Sequence, residues 1–145
     1  MTPLRETDTL ATIQDLVCAL TGQAPSEFPS AADQAYALGW LWQQDLLFPT
    51  AFLERRSIAR ILHMYLCIVM GEKDEADVTI SYHLRDLYDC RVCAGHVMQI
   101  YTKGIMDGLE YAKDLLLFGM KEKVTKKELH QIIKRTLDPS MRIKR

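Results

Sequence analysis

The chain has almost no excess of charge of either sign and no long apolar run, and each absence excludes a class of protein. Its 18 Lys and Arg residues oppose 19 Asp and Glu residues, which leaves a formal net charge of −1. A chain so balanced has no field that would draw it to nucleic acid or to an anionic membrane. The longest apolar stretch, residues 61–70, is interrupted by His63 and is shorter than the roughly 18 residues of a bilayer span. We therefore expect neither a membrane span nor a nucleic-acid partner.

The sequence also lacks the motifs that mark common enzymes. It has no P-loop, no glycine-rich dinucleotide-binding loop and no Gly-x-Ser-x-Gly elbow. Acid–base catalysis needs positioned pairs of carboxylates, whereas Asp86 and Asp89 are typical of helix caps and residues 72–77 are typical of a solvated surface loop. We therefore expect a protein that binds and does not catalyse.

The first residues, MTPLRETDTLATIQ, lack the basic segment followed by an apolar segment that marks a secretion signal. We therefore expect a cytoplasmic location, or the cell surface if the chain is a segment of a larger exported protein. In the cytoplasm the cysteines would be reduced thiols or metal ligands. There are only four of them: Cys18, Cys67, Cys90 and Cys93.

What the sequence does contain is helical periodicity. Apolar residues recur three and four positions apart, which predicts an all-α fold, and 145 residues correspond to a single domain with a sizeable core. Gly22 fits the end of the first helix, and Thr125 with Glu128 fits a capping box at the start of the last. The basic end of the chain, residues 141–145, is predicted to be frayed. The predicted helices cover residues 4–21, 31–47, 53–70, 90–102 and 124–137; residues 78–84 fit either a strand or a helix start, and residues 109–119 fit a loop or a short helix.

The helices also resemble one another, which indicates an internal repeat. Aligning Leu4 with Leu53 places Cys18 against Cys67, and aligning Leu4 with Val124 matches the apolar positions of the first and last helices. The remaining helices align with each other in the same way. The domain therefore divides into a half-repeat (1–22), two repeats (23–71 and 78–138) and a basic tail (139–145).

This alternation of shorter and longer helices resembles the S-layer homology repeat. That repeat runs from Phe-x-Asp through a helix, a Gly-Ile-x-x-Gly turn and a loop to a Thr-Arg-Ala-Glu helix start. The matching segments here are LYD (87–89), KGIMDG (103–108) and VTKKEL (124–129). The resemblance implies a small helical spindle around a pseudo-threefold axis, in a bacterial or phage protein. It also implies a function, which is anchoring to polysaccharides of the bacterial cell wall.

The resemblance further implies which residues would bind the polysaccharide. The arginine of the helix start falls on Arg55 in a middle motif, LERRSIA (53–59), and on Lys126 in the last motif, VTKKEL. In a first motif, TPLRETDTL (2–10), it falls on Glu6, where the charge is inverted. The turn glycines fall on Gly104 and Gly108.

The segment DCRVCAGH (89–96) carries a Cys-x-x-Cys pair that admits three interpretations. The pair could complete a zinc site with His63 and Cys67, which lie one helical turn apart. It could instead be a redox pair, because a thiol at a helix N-terminus has a stabilised thiolate. The cysteines could also be small apolar core residues, as the recurrence of Cys18 at the repeat position of Cys67 suggests.

Two further features favour a surface that binds a partner, although a basic cluster is also compatible with a merely solvated face. Arg55, Arg56 and Arg60 cluster on one predicted helix. Trp40 and Trp42 lie about 200° apart around a helix, so that one of them is expected at an edge or an interface. We therefore expect an interaction module that binds a protein partner or a second copy of itself in the cytoplasm. The alternatives are a wall-polysaccharide-binding domain and a zinc-stabilised or redox-sensitive regulatory protein.

Overall fold

The structure, a computed structural model, describes residues 9–145; Leu4 and Glu6, on which the first repeat motif was placed, lie outside the described residues. The described chain is 54% helical and contains six α-helices and one small antiparallel sheet, so that its content is mixed and the all-α prediction is wrong. In chain order the elements are α1 (Ile13–Thr21), α2 (Phe28–Leu38), α3 (Gln43–Leu47), α4 (Arg55–Ile68), α5 (Arg91–Thr102), β1 (Leu109–Ala112), β2 (Leu115–Leu117) and α6 (Lys126–Leu137). Within the described part, no helix has both the length and the apolar character that a membrane span requires.

The sheet is a hairpin in the segment that was predicted to be a loop or a short helix. Leu109 pairs with Leu117 and Glu110 with Leu116, and a bulge follows Glu110. Asp114 adopts a positive φ of 64° in the turn, a conformation that aspartate tolerates better than most residues. The strands are too short to show an alternating pattern, which is why periodicity did not reveal them.

The segment predicted as one helix over residues 31–47 is broken in the middle. Helix α2 ends at Gly39, which has a left-handed φ of 99°. The chain then buries Trp40 edge-on against Tyr65, with 5.0 Å between ring centroids, and α3 starts after Trp42. Trp42 remains 43% exposed. The two tryptophans therefore face different environments because the chain turns between α2 and α3, and not because they lie on opposite sides of one helix. Residues 79–83, which fitted either a strand or a helix, form a short 3-10 helix.

The segments that precede α1, α4 and α6 pair with one another in a ring. Leu10 bridges Thr125, Thr12 bridges Phe52, and Glu54 bridges Lys123. At its centre, the Ala11 N–H donates to the Val124 carbonyl at 2.9 Å, and the Leu53 N–H donates to the Ala11 carbonyl at 3.0 Å. The side chains of Ala11, Leu53 and Val124 are buried there. This ring, which we call the central ring, sets the directions in which the three helices leave it.

The central ring also corrects the alignment of the first motif. Thr12 is the N-cap of α1, with a capping box to Asp15, and its equivalents are the N-caps Glu54 and Thr125. Ile13 therefore follows its N-cap as Arg55 and Lys126 follow theirs, while Glu6, which the sequence alignment placed at this position, lies outside the described residues. An offset of about two helical turns leaves the apolar positions on the same face, so that periodicity alone did not distinguish the two alignments.

The basic end of the chain is fixed to the domain, and the prediction that it frays is wrong. The Ile143 N–H donates to the Gly104 carbonyl at 2.9 Å. Arg142 forms a two-pronged ion pair with Glu72. The guanidinium of Arg145 lies 3.7 Å from the centroid of the Tyr101 ring. Together these contacts hold the end of the chain against the C-terminal end of α5.

Candidate functional site

Helices α3, α4 and α5 enclose a groove at their N-terminal ends. The groove has a volume of about 280 Å³. We call it the Trp42 groove, and its lining includes Trp42, Gln44, Arg56, Arg60, Val92, Cys93 and His96.

The floor of the Trp42 groove is a buried ion pair. Arg60 donates from both terminal nitrogens to the two carboxylate oxygens of Asp45, each at 3.0 Å, and both side chains are less than a tenth exposed. The same guanidinium lies 4.0 Å from the centroid of the Trp42 ring. Asp45 also accepts the Trp42 N–H at 2.8 Å, which caps α3. The pair is thus neutral, and it holds one face of an indole whose remaining surface is accessible.

The other cations that were predicted to bind polysaccharide are also paired within the protein. Arg55 is buried, donates to the carbonyls of Phe118 and Asp107 and stacks over the Phe118 ring. Burial lowers the pKa of its guanidinium, although nearby carboxylates act to raise it. Arg56 pairs with Glu54 at 2.9 Å. The remaining cation, Lys126, lies 3.9 Å from Asp15 at the start of α1. The structure therefore brings Arg56 and Arg60 together with Trp42, while Arg55 and Lys126 lie elsewhere.

The two predicted turn glycines serve the packing of the chain. Gly104 has a φ of 76°, and a Cβ there would collide with the backbone of Ile143. A Cβ on Gly108 would lie 2.9 Å from the side chain of Leu116 in the hairpin. Trp40 is buried against Tyr65 and does not line the groove.

A second group of polar side chains lies where α4 faces α5. The Nδ1 atoms of His63 and His96 are 2.8 Å apart, and the Nε2 of His63 lies 2.7 Å from Oδ1 of Asp74. The Cys67 thiol donates to the same Asp74 oxygen at 3.6 Å. One ligand atom from each of His63, Cys67 and Asp74 lies within 4.8 Å of the others. We call these three residues the His63 cluster.

The protonation of this group follows from its surroundings. Burial raises the pKa of the Cys67 thiol, and the charge of Asp74 raises it further. Burial also acts to raise the pKa of Asp74, but the hydrogen bond and charge of His63 outweigh it, so that the pKa lies below its ordinary value. Burial lowers the pKa of His96, with His63 and Arg60 adding to the effect. At neutral pH the group therefore holds a thiol, a carboxylate and an uncharged His96.

Asp74 was not identified from the sequence as a site residue, because it lies in an acidic segment whose composition is typical of a solvated loop. The structure instead holds this loop from both sides of Asp74. Lys103, which is buried, donates to the Lys73 carbonyl at 2.6 Å and pairs with Glu72 at 2.8 Å. The Gln99 side chain accepts the Glu75 N–H at 2.8 Å and donates to the Glu75 carbonyl at 3.1 Å.

The four residues predicted as a zinc site are not brought together. Cys90 and Cys93 form a disulfide at the start of α5, where Cys90 is the N-cap residue, and both line the Trp42 groove. Residues three apart at a helix start place their sulfur atoms side by side, and the Cα atoms of this pair are 5.2 Å apart, within the range of disulfides. Cys67 and Cys18 are free thiols. Only His63 and Cys67 of the predicted set share a site, and their third member is Asp74.

No family model, no curated protein and no solved structure matches the chain.

Proposed function

We propose that this protein is a non-catalytic binding module that holds an extended segment of a partner protein in the Trp42 groove. The observation that carries the proposal is the exposed indole of Trp42, which lies on a neutral, buried ion pair. Tryptophan and arginine are the residue types that contribute most to binding energy at protein interfaces. Val92, which is 78% exposed, supplies a second apolar surface in the same groove.

The pairing of charges favours a protein partner over an acidic polysaccharide. Recognition of an anionic ligand depends on cations that are available to donate to it. Arg60 is already paired with Asp45, and Arg56 with Glu54. A groove with balanced charges and an exposed aromatic surface suits a peptide segment, whose backbone supplies both donors and acceptors.

Polysaccharide binding remains the second candidate, because the central ring supports the S-layer homology interpretation. Three segments that meet in a ring and each start a helix are what a pseudo-threefold spindle requires. We also propose a cytoplasmic location, with Cys18 and Cys67 as free thiols. The Cys90–Cys93 disulfide departs from the expectation of reduced cysteines, and in the cytoplasm it would be a transient bond that can be reduced.

Selection of random displayed peptides on the immobilised protein tests the proposal. We expect selected peptides to lose affinity by at least about tenfold in Trp42→Ala and in Val92→Asp. Val92→Asp leaves the buried ion pair untouched, so that a loss there cannot come from a disturbed α3. Tyr88→Ala is the matched control, since Tyr88 is 65% exposed and does not line the groove.

Two outcomes would overturn the proposal. The first is selected peptides that bind Trp42→Ala and Val92→Asp as well as they bind the unchanged protein. The second is displacement of the peptides by purified wall polysaccharide, which would assign the groove to the glycan instead.

A further inference from the structure

The His63 cluster presents three different ligand atoms to one point. His63 and Cys67 lie one turn apart on α4, so that their side chains project from the same face of the helix. Asp74 approaches that face from the loop that follows the helix, and its Oδ1 lies 2.7 Å from His63 Nε2 and 3.6 Å from Cys67 Sγ. A nitrogen, a sulfur and an oxygen ligand atom therefore lie within 4.8 Å of one another.

These distances suit tetrahedral zinc. Bond lengths of about 2.0–2.3 Å place the ligand atoms of tetrahedral zinc about 3.3–3.6 Å from one another. The 3.6 Å between Cys67 Sγ and Asp74 Oδ1 is already in this range, and the 2.7 Å between His63 Nε2 and Asp74 Oδ1 needs to open by about 0.6 Å. Magnesium and calcium prefer ligand sets made only of oxygen, so that a thiolate and an imidazole favour zinc.

The surroundings hold these ligands in place. Lys103 and Gln99 fix the loop on the two sides of Asp74 through the backbones of Lys73 and Glu75. The second ring nitrogen of His63 is 2.8 Å from His96 Nδ1, a contact that orients a ligating imidazole and directs Nε2 to the metal. An adjoining cavity of about 250 Å³, lined by His63, Asp74 and His96, leads from the cluster to solvent.

We infer that His63 Nε2, Cys67 Sγ and Asp74 Oδ1 bind one zinc ion, with the fourth position open to water or to a ligand from solvent. This site shares two residues with the one that the sequence predicted, but Asp74 replaces the disulfide-bonded Cys90 and Cys93. None of its three ligands lines the Trp42 groove, which the site adjoins through His96, so that either assignment can fail without the other.

Titration of the metal-free chain with zinc alone tests the site, with native mass spectrometry to count bound ions and a chromophoric chelator as competitor. We expect one zinc per chain. Cobalt(II) in its place should give the visible absorption of a tetrahedral centre and a thiolate-to-cobalt charge-transfer band. Asp74→Asn and Cys67→Ser should each abolish stoichiometric binding, and His96→Ala should weaken it by about 10–100-fold, as expected for a residue that orients a ligand.

The controls separate this site from its alternatives. Asp77→Asn changes another carboxylate of the same loop, whose side chain bonds Thr79, and should leave binding unchanged. The double variant Cys90→Ser/Cys93→Ser should also bind one zinc. The inference is overturned if the unchanged chain binds no zinc at micromolar concentration, if Asp74→Asn binds as tightly as the unchanged chain, or if the double variant loses the metal. Far-UV circular dichroism without zinc shows that each variant is folded.

Discussion

Arg55, Arg56 and Arg60 stand within six residues of one another, yet the fold uses them in three ways. Arg55 is buried and bonds two backbone carbonyls, Arg60 is buried against a carboxylate, and Arg56 lies near the surface. In the sequence, the three arginines appear only as members of one basic cluster. The difference depends on Phe118 and Asp45, which no local pattern connects to the cluster.

The buried pair should therefore be much more important for stability than its exposed neighbour. Asp45→Asn keeps an oxygen that can cap α3 but leaves the charge of Arg60 buried without a counter-charge. We expect the free energy of unfolding to fall by about 3–5 kcal/mol, as for other broken buried pairs. Arg56→Gln breaks the pair with Glu54, whose side chains are 33% and 23% exposed, and should cost about 0–1 kcal/mol.

Urea unfolding of the two variants measures both losses. Equal losses in Asp45→Asn and Arg56→Gln would contradict the assignment of the Asp45–Arg60 pair as a structural part of the groove. The same result would also weaken the view that Trp42 is held in place by Arg60.

At the scale of helices and strands, some boundaries are determined by neighbouring residues and others by contacts with distant segments. The capping boxes at Thr12 and Thr125 and the left-handed Gly22 lie within a few residues of the helix ends they define. The end of the chain is different, since residues 142–145 have no regular structure beyond a turn. Their order comes from Gly104, Glu72 and Tyr101, far away in the sequence.

Gly104→Ala should therefore release the end of the chain from the domain. The added Cβ would collide with the backbone of Ile143, in addition to the strain of a side chain at a φ of 76°. Gly22→Ala is the matched control, because Gly22 has a similar φ of 71° but open space around it. The control should lose about 1–2 kcal/mol of stability, and Gly104→Ala should lose clearly more.

Thermal unfolding and limited trypsin digestion test this prediction together. Trypsin should cleave after Arg142 and Lys144 faster in Gly104→Ala than in Gly22→Ala. If both variants lose the same stability and keep the same cleavage rate, the contact with Ile143 does not hold the end of the chain.

For the molecule as a whole, the central ring connects its beginning, middle and end. Ala11 bonds to Val124 and to Leu53, and these bonds join segments that are widely separated in sequence. Closing such long loops costs chain entropy, so that these contacts depend on the packing of the helices between them. We therefore expect the described part of the chain to unfold as one cooperative unit.

Ala11→Pro tests this expectation. The substitution removes the N–H that donates to Val124, and a buried carbonyl left without its donor costs about 1–3 kcal/mol. Ala11→Gly keeps the N–H and is the matched control for the lost side chain. We expect the proline variant to be the less stable of the two, with far-UV circular dichroism and tryptophan fluorescence changing at the same denaturant concentration. Separate transitions for the two signals would show that α1 unfolds independently of the segment between α2 and α3, which carries the tryptophans.

The sequence by itself determined what depends on near neighbours. It located α5 and α6 to within a residue or two, the capping box of Thr125 and the pairing of His63 with Cys67 on one helix face, because helical hydrogen bonds and spacing act over about four residues. Only the tertiary structure decided the hairpin, the break at Gly39, the central ring and the place of Asp74. Each of these depends on contacts between distant segments, and the free energy of such contacts comes from burial and pairing that appear only once the chain is packed.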